Sequence, residues 1–394
     1  MKYASITDRL AGLGGAKWQV HAKARALKAS GVPVIELTIG EPDVTTPDAL
    51  KQAAIRAIQD NRTAYSNGRG EAGLLQALAR RYSSRRGRAI TPDQIMCFPG
   101  TQTALFAALM AMAEAGDEII TGDPMYATYE AVVAASGAAI VPVALRPEHG
   151  FRLQAEDVAR AITPRTRVIF LNSPHNPTGA ILRADEILAL GQLAQAHDLW
   201  ILCDEVYEDL IFGGSEFVSP LNFAELAERV VVTASISKSH AAPGFRSGWC
   251  VGPAEFIARL LPLSETMLFG NQPFIADMTA EAVSSPSAVA AGMCERFARR
   301  ADLVHAALHG VAGLAVHRPE AGMFALIDVR ATSLSSSAFA LDLLERAQVA
   351  VMPGDSFGAA LSGWVRVALS QPDDVIAEAC RRIVDHVRHI RKAA

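Results

Sequence analysis

Cysteine is scarce in this sequence. Five of its 394 residues carry a thiol (Cys97, Cys203, Cys250, Cys294 and Cys380), an odd number with no C-x-x-C pair among them. That usage excludes a disulfide frame and a thiolate zinc site, and it fits reduced thiols in a cytoplasmic protein. An excess of either charge is also lacking. A formal net charge of −4 gives no global pull toward nucleic acid or an anionic bilayer. No apolar stretch reaches the ~20 residues needed to span a membrane; the longest lies around residues 103–113. The opening MKYASITDRL has no apolar run of the signal-peptide kind. Internal repeats and low-complexity tails are missing too. Metal, nucleic acid and membrane are therefore not expected partners. What is present is globular material, half hydrophobic and one-fifth charged, long enough for a large core and two domains.

Hydrophobic patterning gives the fold class. Residues 16–30 read as an amphipathic helix closed by Gly31, and VIELTIGEPD (34–43) as a short strand breaking at Gly40. TPDALKQAAIRAIQDN reads as a helix with Pro47 early and Asn61 at its end. From residue 94 strand and helix alternate. QIMCFPG leads into a helix over 101–116, EIITGDP into one over 126–135, AAIVPVAL into one over 155–162, and RVIFLNSP into one over 183–197 before LWILCDEVY. These strands are continuous apolar runs, the mark of a parallel sheet covered on both faces. Ligands in such sheets bind at the carboxyl ends of strands. A long helix near 284–309 leaves this layer, and LAVHRP, MFALIDV and WVRVALS, with helices over 337–347 and 373–392, read as a smaller α+β domain. The expected organisation is an arm and part of the small domain over 1–45, a large domain over 46–284 and a small C-terminal domain over 285–394.

The sharpest chemical signal is VVVTASISKSHAAPGFRSGW (230–249). A β-branched run delivers Lys238 among hydroxyls, an unusual place for an ammonium. Desolvation would lower its pKa and free an amine to attack a carbonyl. Ser235, Ser237 and Arg246 together suit a phosphate. A lysine so activated beside a phosphate cup suggests pyridoxal 5′-phosphate; the alternative is a surface lysine in a polar loop. Asp204 ends an apolar run, where a carboxylate either pairs with a protonated pyridine nitrogen or caps the next helix. Tyr207 either donates to the cofactor's phenolate oxygen or packs half-buried. Asn176, in NSPHNPTG, offers that same oxygen a hydrogen bond or serves turn chemistry alone. Gly100, Thr101 and Gln102 open a helix directly after a strand, a place for phosphate or for a simple threonine cap. Tyr126 either stacks on a flat ring or belongs to the core. Arg366, inside WVRVALS, needs an anion: a substrate carboxylate or an internal salt-bridge partner.

Taken in order, N-S-P-H-N-P-T-G, D-E-V-Y, S-I-S-K-S-H with G-F-R-S-G-W, and the late W-V-R resemble the aspartate aminotransferase superfamily, from the Gly40 region to Arg366. The resemblance implies a fold-type I pyridoxal-phosphate transferase: a mainly parallel seven-stranded sheet with helices on both faces plus a smaller α+β domain. It implies an aminotransferase acting on an amino acid and a 2-oxo acid by ping-pong kinetics. Lys238 would be the Schiff-base lysine and proton-transfer base. Asp204 would pair with the ring nitrogen, and Asn176 and Tyr207 would hold the phenolate oxygen. Thr101, Gln102, Ser235 and Arg246 would bind phosphate, and Tyr126 would stack on the ring. Arg366 would hold the substrate carboxylate, with Gly40 lining the site. Tyr65 would reach the phosphate of the other subunit of a homodimer with shared active sites. Within the superfamily, PMYATYEAV, NSPHNPTGA and SKSHAAPG are most similar to arginine–pyruvate transaminases. Aspartate-specific members use a second, partner-supplied Arg, whereas LPLSETMLFGNQPFIADM holds no Arg or Lys. Glu265 or Asp277 would instead face a cationic side chain, or be solvated; Trp18 walls the substrate pocket or packs in the core.

The same residues allow other functions. One keeps the cofactor and changes the reaction to β-elimination from cysteine conjugates. Another is hydrolytic, since Gly354-Asp-Ser356-Phe-Gly358 matches G-x-S-x-G. That match reads as chance: too little sequence follows Ser356 for the acid- and histidine-bearing strands, and His386 and His389 fall on a basic surface helix. A non-catalytic regulator of this fold would carry a DNA-binding extension, for which no segment is spare.

Overall fold

Alternate residues along the apolar runs point to opposite faces, and both faces are covered. In the computed structural model, which describes residues 1–11, 13 and 15–393, Val230 and Val232 enter one buried cluster while Val231 enters another. Ile201 and Cys203 part from Leu202 in the same way, and Ile169 and Leu171 from Val168 and Phe170. A strand covered on both sides has no use for polar alternation, so its sequence is continuously apolar.

Seven strands hydrogen-bond in the spatial order Ile95–Phe98, Gly248–Val251, Val230–Ser235, Trp200–Asp204, Thr166–Asn172, Glu118–Asp123, Ala139–Ala144. All run parallel except Gly248–Val251, which is antiparallel to both neighbours. That strand is absent from the sequence-based expectations because its four residues follow a polar loop and are too few to show a period. Register places Asn172 beside Asp204, and Asp204 beside Thr233, so three carboxyl ends lie side by side. Two helix boundaries differ from those expected. The helix after Ile95–Phe98 covers Thr101–Met112, and the one after Glu118–Asp123 begins at Tyr129, leaving Tyr126 in the preceding turn. Helices Ala254–Leu268 and Pro273–Val283 complete this layer.

A second, antiparallel sheet has the order Met352–Pro353, Trp364–Ala368, Phe324–Asp328, Ala315–His317. Its core joins Val20, Ala24, Val34 and Leu37 from the first forty residues to side chains from Leu314 to Val387. The expected strand over 34–43 is only Ile35–Glu36, paired in parallel with Val349–Ala350. Helix Asp373–Ala393 buries Ile376, Ala379, Cys380, Ile383 and Val387, a stripe at helical spacing. No helix among the described residues is long and apolar enough to cross a membrane.

One charged cluster ties helix Ala72–Arg86 to the segment that follows strand Trp200–Asp204. Arg86 Nη2 donates to Glu205 at 3.0 Å and to Glu208 at 2.6 Å, and Arg81 and Arg85 meet Glu208 and Asp209. Glu205 is fully buried, and Arg86 and Glu208 nearly so. Removing one partner of such a cluster strands a buried charge. Arg86→Met is therefore expected to cost about 3–5 kcal/mol of stability, measured as a lower midpoint in denaturant unfolding; a midpoint equal to that of the parent would contradict it.

Candidate active site

The three adjacent strand ends open onto one cavity of about 430 Å³. Lys238 sits on a four-residue helix, Ile236–Ser239, that starts where its strand stops, with Ser235 Oγ accepting from the Ser237 N–H at 3.3 Å. Its Nζ donates to the Gly40 carbonyl at 2.7 Å. Burial lowers the ammonium's pKa to about 8, opposed by the carboxylates of Glu41 and Asp204 and helped by Arg366 and Arg246. Asp204 is buried, with Oδ2 accepting from the Tyr129 hydroxyl at 2.8 Å and Oδ1 from the Val206 N–H at 3.1 Å. Burial raises its carboxyl to about 6, against the pull of those donors and of Lys238. It lines the cavity, and its Oδ1 also caps the following turn.

Arg366 rises from strand Trp364–Ala368 and is only 2% exposed. Its Nη1 donates to Asn176 Oδ1 at 3.0 Å and its Nη2 to the Thr38 carbonyl at 2.6 Å, while Nε has no partner among the described residues. The guanidinium lies between two aromatic rings, 3.8 Å from the Phe324 centroid and 4.5 Å from that of Phe357. Neither ring carries charge, and burial lowers the pKa of Arg366 to about 10. The internal salt bridge considered from the sequence is not made among the described residues. Tyr207 is buried, and burial raises its phenol above the ordinary value. Burial raises Tyr126 in the same direction.

At the other end of the cavity, donors outnumber acceptors. Gly100 adopts φ +88°, and a Cβ there would lie 2.2 Å from Arg246 Nη2, so only glycine leaves the guanidinium its place. Arg246 Nη1 donates to the Pro243 carbonyl at 2.7 Å. The Thr101 hydroxyl, at the start of helix Thr101–Met112, is buried with no partner. Gln102 Oε1 accepts from the Thr128 hydroxyl at 3.0 Å. Thr101, Gln102, Ser235, Ser237, Arg246, Trp18 and Gly40 all line the cavity.

Some expected residues lie elsewhere. Tyr65 is 90% exposed and leans on Phe269, 5.7 Å between centroids, away from the cavity of its own chain. Asp277 is taken by Arg62, at 2.7 Å and 3.1 Å, which removes it as a partner for a substrate's cation, and Glu265 is exposed. Ser356 lies in the short turn Gly354–Ser356, not between a strand and a helix, and its hydroxyl donates to the Lys17 carbonyl at 3.0 Å. His386 is not a surface residue: it is buried beside Phe339 and Asp342. Tyr129, Asn172 and Phe324 line the cavity without being among the expected site residues. Tyr129 holds Asp204, and its signal was a second tyrosine in PMYATYEAV. Asn172 donates to the Asp204 carbonyl at 2.9 Å and accepts from the Asn176 N–H at 2.8 Å, beside the NSPHNPTG turn it opens. Phe324 gave no signal, because a phenylalanine over a guanidinium looks like any strand phenylalanine.

Comparison with known proteins gives the family. Residues 32–383 match the model of the family described as aminotransferase class I and II. The arginine–pyruvate transaminase of Pseudomonas aeruginosa is 44% identical over 383 residues, 97% of each chain. The aspartate/prephenate aminotransferase of Cereibacter sphaeroides is 36% identical over 374 residues, 92% of this chain and 93% of that one. A single mutant of Thermus thermophilus aspartate aminotransferase superposes with a TM-score of 0.92 at 33% identity, over 98% of this chain and 100% of that one. The chain belongs to the class I and II aminotransferase family, with the fold-type I architecture the sequence implied.

The raised carboxyl of Asp204 carries a stability consequence with a definite sign. Its ordinary value is 3.8 and its folded value about 6, so between these pH values the folded protein binds the extra proton. Stability therefore falls as pH rises through this window, and the full cost, ~3 kcal/mol, applies above about pH 6. In the protein free of small molecules, Asp204→Asn should be more stable than the parent by about this amount at pH 7, with the gap closing below about pH 4. Chemical denaturation at several pH values tests this; an equal or less stable variant at pH 7 would refute it.

Proposed function

We propose that this aminotransferase uses pyridoxal 5′-phosphate to move the α-amino group of an L-amino acid, arginine or another non-acidic donor, to a 2-oxo acid such as pyruvate. The carrying observation is that Lys238, Asp204 and Arg366 meet in one cavity. The residues present fit the cofactor. The unpartnered Thr101 hydroxyl, with Gln102, Ser235, Ser237 and Arg246, suits its phosphate. Asp204 suits its ring nitrogen, Asn176 and Tyr207 its phenolate oxygen, and Tyr126 the face of its ring. Bound there, the cofactor would supply a carbonyl for the amino group and a cationic ring that draws electrons from the substrate Cα.

The side chains then have distinct tasks. With its pKa near 8, Lys238 Nζ keeps a sizeable neutral fraction at neutral pH and takes the Cα proton. Asp204 remains mostly ionised above about pH 6 and so keeps a cation opposite it. Arg366, with Nε free and no carboxylate beside it, binds the substrate carboxylate, which donor and acceptor have in common. One site thus serves both half-reactions.

Support for a non-acidic donor comes from two sides. The relative at 44% identity is named for arginine and pyruvate. The cavity's basic groups, Lys238, Arg246 and Arg366, all have tasks, whereas Glu41 lines it without an ion pair among the described residues. A homodimer with Tyr65 reaching the partner's phosphate is part of this reading, since Tyr65 and Phe269, 66% exposed, offer an aromatic patch to a second copy. A cytoplasmic setting, with 46–284 as the cofactor-binding domain and 1–45 joined to 285–394 as the small one, completes it.

A visible spectrum of the purified protein tests the proposal. A yellow band is expected to bleach with arginine and return with pyruvate. Lys238→Ala should lower turnover by about 10³-fold or more. Bleaching only by other amino acids would discard the arginine donor, and full turnover by Lys238→Ala would end the proposal.

A further inference from the structure

Two cations of the cavity, buried Arg366 and half-buried Lys238, rest on one strap of chain, residues 36–46. Its Thr38 carbonyl accepts from Arg366 Nη2 at 2.6 Å, and its Gly40 carbonyl accepts from Lys238 Nζ at 2.7 Å. Up to Leu37 the strap is held by backbone pairing: Leu37 N–H donates to Ala350 at 2.8 Å, and Ala368 N–H donates to Leu37 at 2.9 Å. A Cβ on Gly40 would lie 2.1 Å from Phe324 Cζ, the ring that also covers Arg366. Strap, ring and guanidinium are therefore packed as one piece. At its far end the Thr46 hydroxyl donates to the Ala241 carbonyl.

Between these ends the strap is pinned by Asp43. Both of its oxygens take Arg296, from Nε at 2.8 Å and from Nη2 at 2.9 Å, and Oδ2 also takes Arg300 Nη1 at 2.7 Å. Arg300 is buried, and the same Nη1 donates to the Leu369 carbonyl at 2.9 Å. Leu369 follows the strand that carries Arg366. One guanidinium thus spans the strap and the end of that strand. A bidentate, partly buried arginine–carboxylate pair is a geometric constraint as well as an attraction. Asp43 itself does not line the cavity.

We propose that Asp43, clamped by Arg296 and Arg300, is a positioning residue for carboxylate binding, holding the Thr38 carbonyl where it orients Arg366; Lys238 stands on its own helix, Ile236–Ser239. This rests on Arg366 being the carboxylate-binding group. Donor and acceptor share that carboxylate, so a loosened strap weakens both alike. The proton transfer follows binding and is affected less.

The test uses Asp43→Asn holoenzyme. KM for the amino donor and for the 2-oxo acid should rise together by about tenfold, with kcat changed less than about threefold; a 1 Å misplacement costs up to ~10²-fold. Hydrogen exchange followed by mass spectrometry should show amides of 37–46 exchanging about tenfold faster, with those of 288–308 unchanged. Arg299→Met, which removes only the surface pair with Asp373, should leave both KM values as they were. Unchanged KM values, or raised ones without faster strap exchange, overturn the proposal. Arg366→Lys separates the two layers of inference. If it raises both KM values while Asp43→Asn does not, the strap fails and the carboxylate site stands; if it raises neither, both fail. Should Asp43→Asn not fold, Arg296→Gln, which leaves Arg300 on Asp43, is read by the same criteria.

Discussion

A guanidinium buried without a carboxylate is the constraint on which the rest of this site depends. Arg366 has lost most of its water, and among the described residues its replacements are the Asn176 amide oxygen, the Thr38 carbonyl and two aromatic faces. None of these cancels a full charge. The folded chain therefore holds an unmet demand for an anion at one point. Lys238 and Asp204 carry the same kind of burial cost, as their shifted pKa values show. These displacements all run against the stability of the empty protein and toward a ligand that brings a carboxylate, a phosphate and a protonated ring.

Much of this was legible in the residues. Continuous apolar runs announced a sheet buried on both faces, and polar residues at the ends of those runs announced where ligands gather. Lys238, Asp204 and Arg366 are visible in sequence because each is a polar group in a place where polar groups are costly, and Asn176 because it sits in the rigid turn NSPHNPTG. What stayed hidden are groups whose local context is bland. Tyr129 and Phe324 look like core aromatics, and only the fold shows one on a carboxylate and the other on a guanidinium. Gly248–Val251 was hidden for another reason: a strand of four residues shows no period, and one of its two partners, Ile95–Phe98, is far away in the chain. The start of helix Tyr129–Ser136 was misjudged by three residues, because helical propensity does not show where a turn ends.

The two charged clusters differ in kind. Arg81, Arg85 and Arg86 meet Glu205, Glu208 and Asp209, so cations and anions match and the cluster closes on itself. It fixes the segment that carries Asp204 and Tyr207. In the cavity Lys238, Arg246 and Arg366 face only Asp204 and Glu41, and the excess is positive. Balanced charge builds the scaffold, and unbalanced charge marks where substrate enters.

The partners that Lys238 and Arg366 find on the strap are main-chain carbonyls, those of Gly40 and Thr38. No substitution deletes a main-chain oxygen. The neighbouring side chains Ile39 and Glu41 also line the cavity, yet they hold neither cation through a hydrogen bond. Mutation can therefore rewrite what the strap shows to a substrate while the acceptors behind it are inherited unaltered. In such a design the choice of amino acid is free to drift across a lineage while the machinery that handles its carboxylate and its proton stays the same.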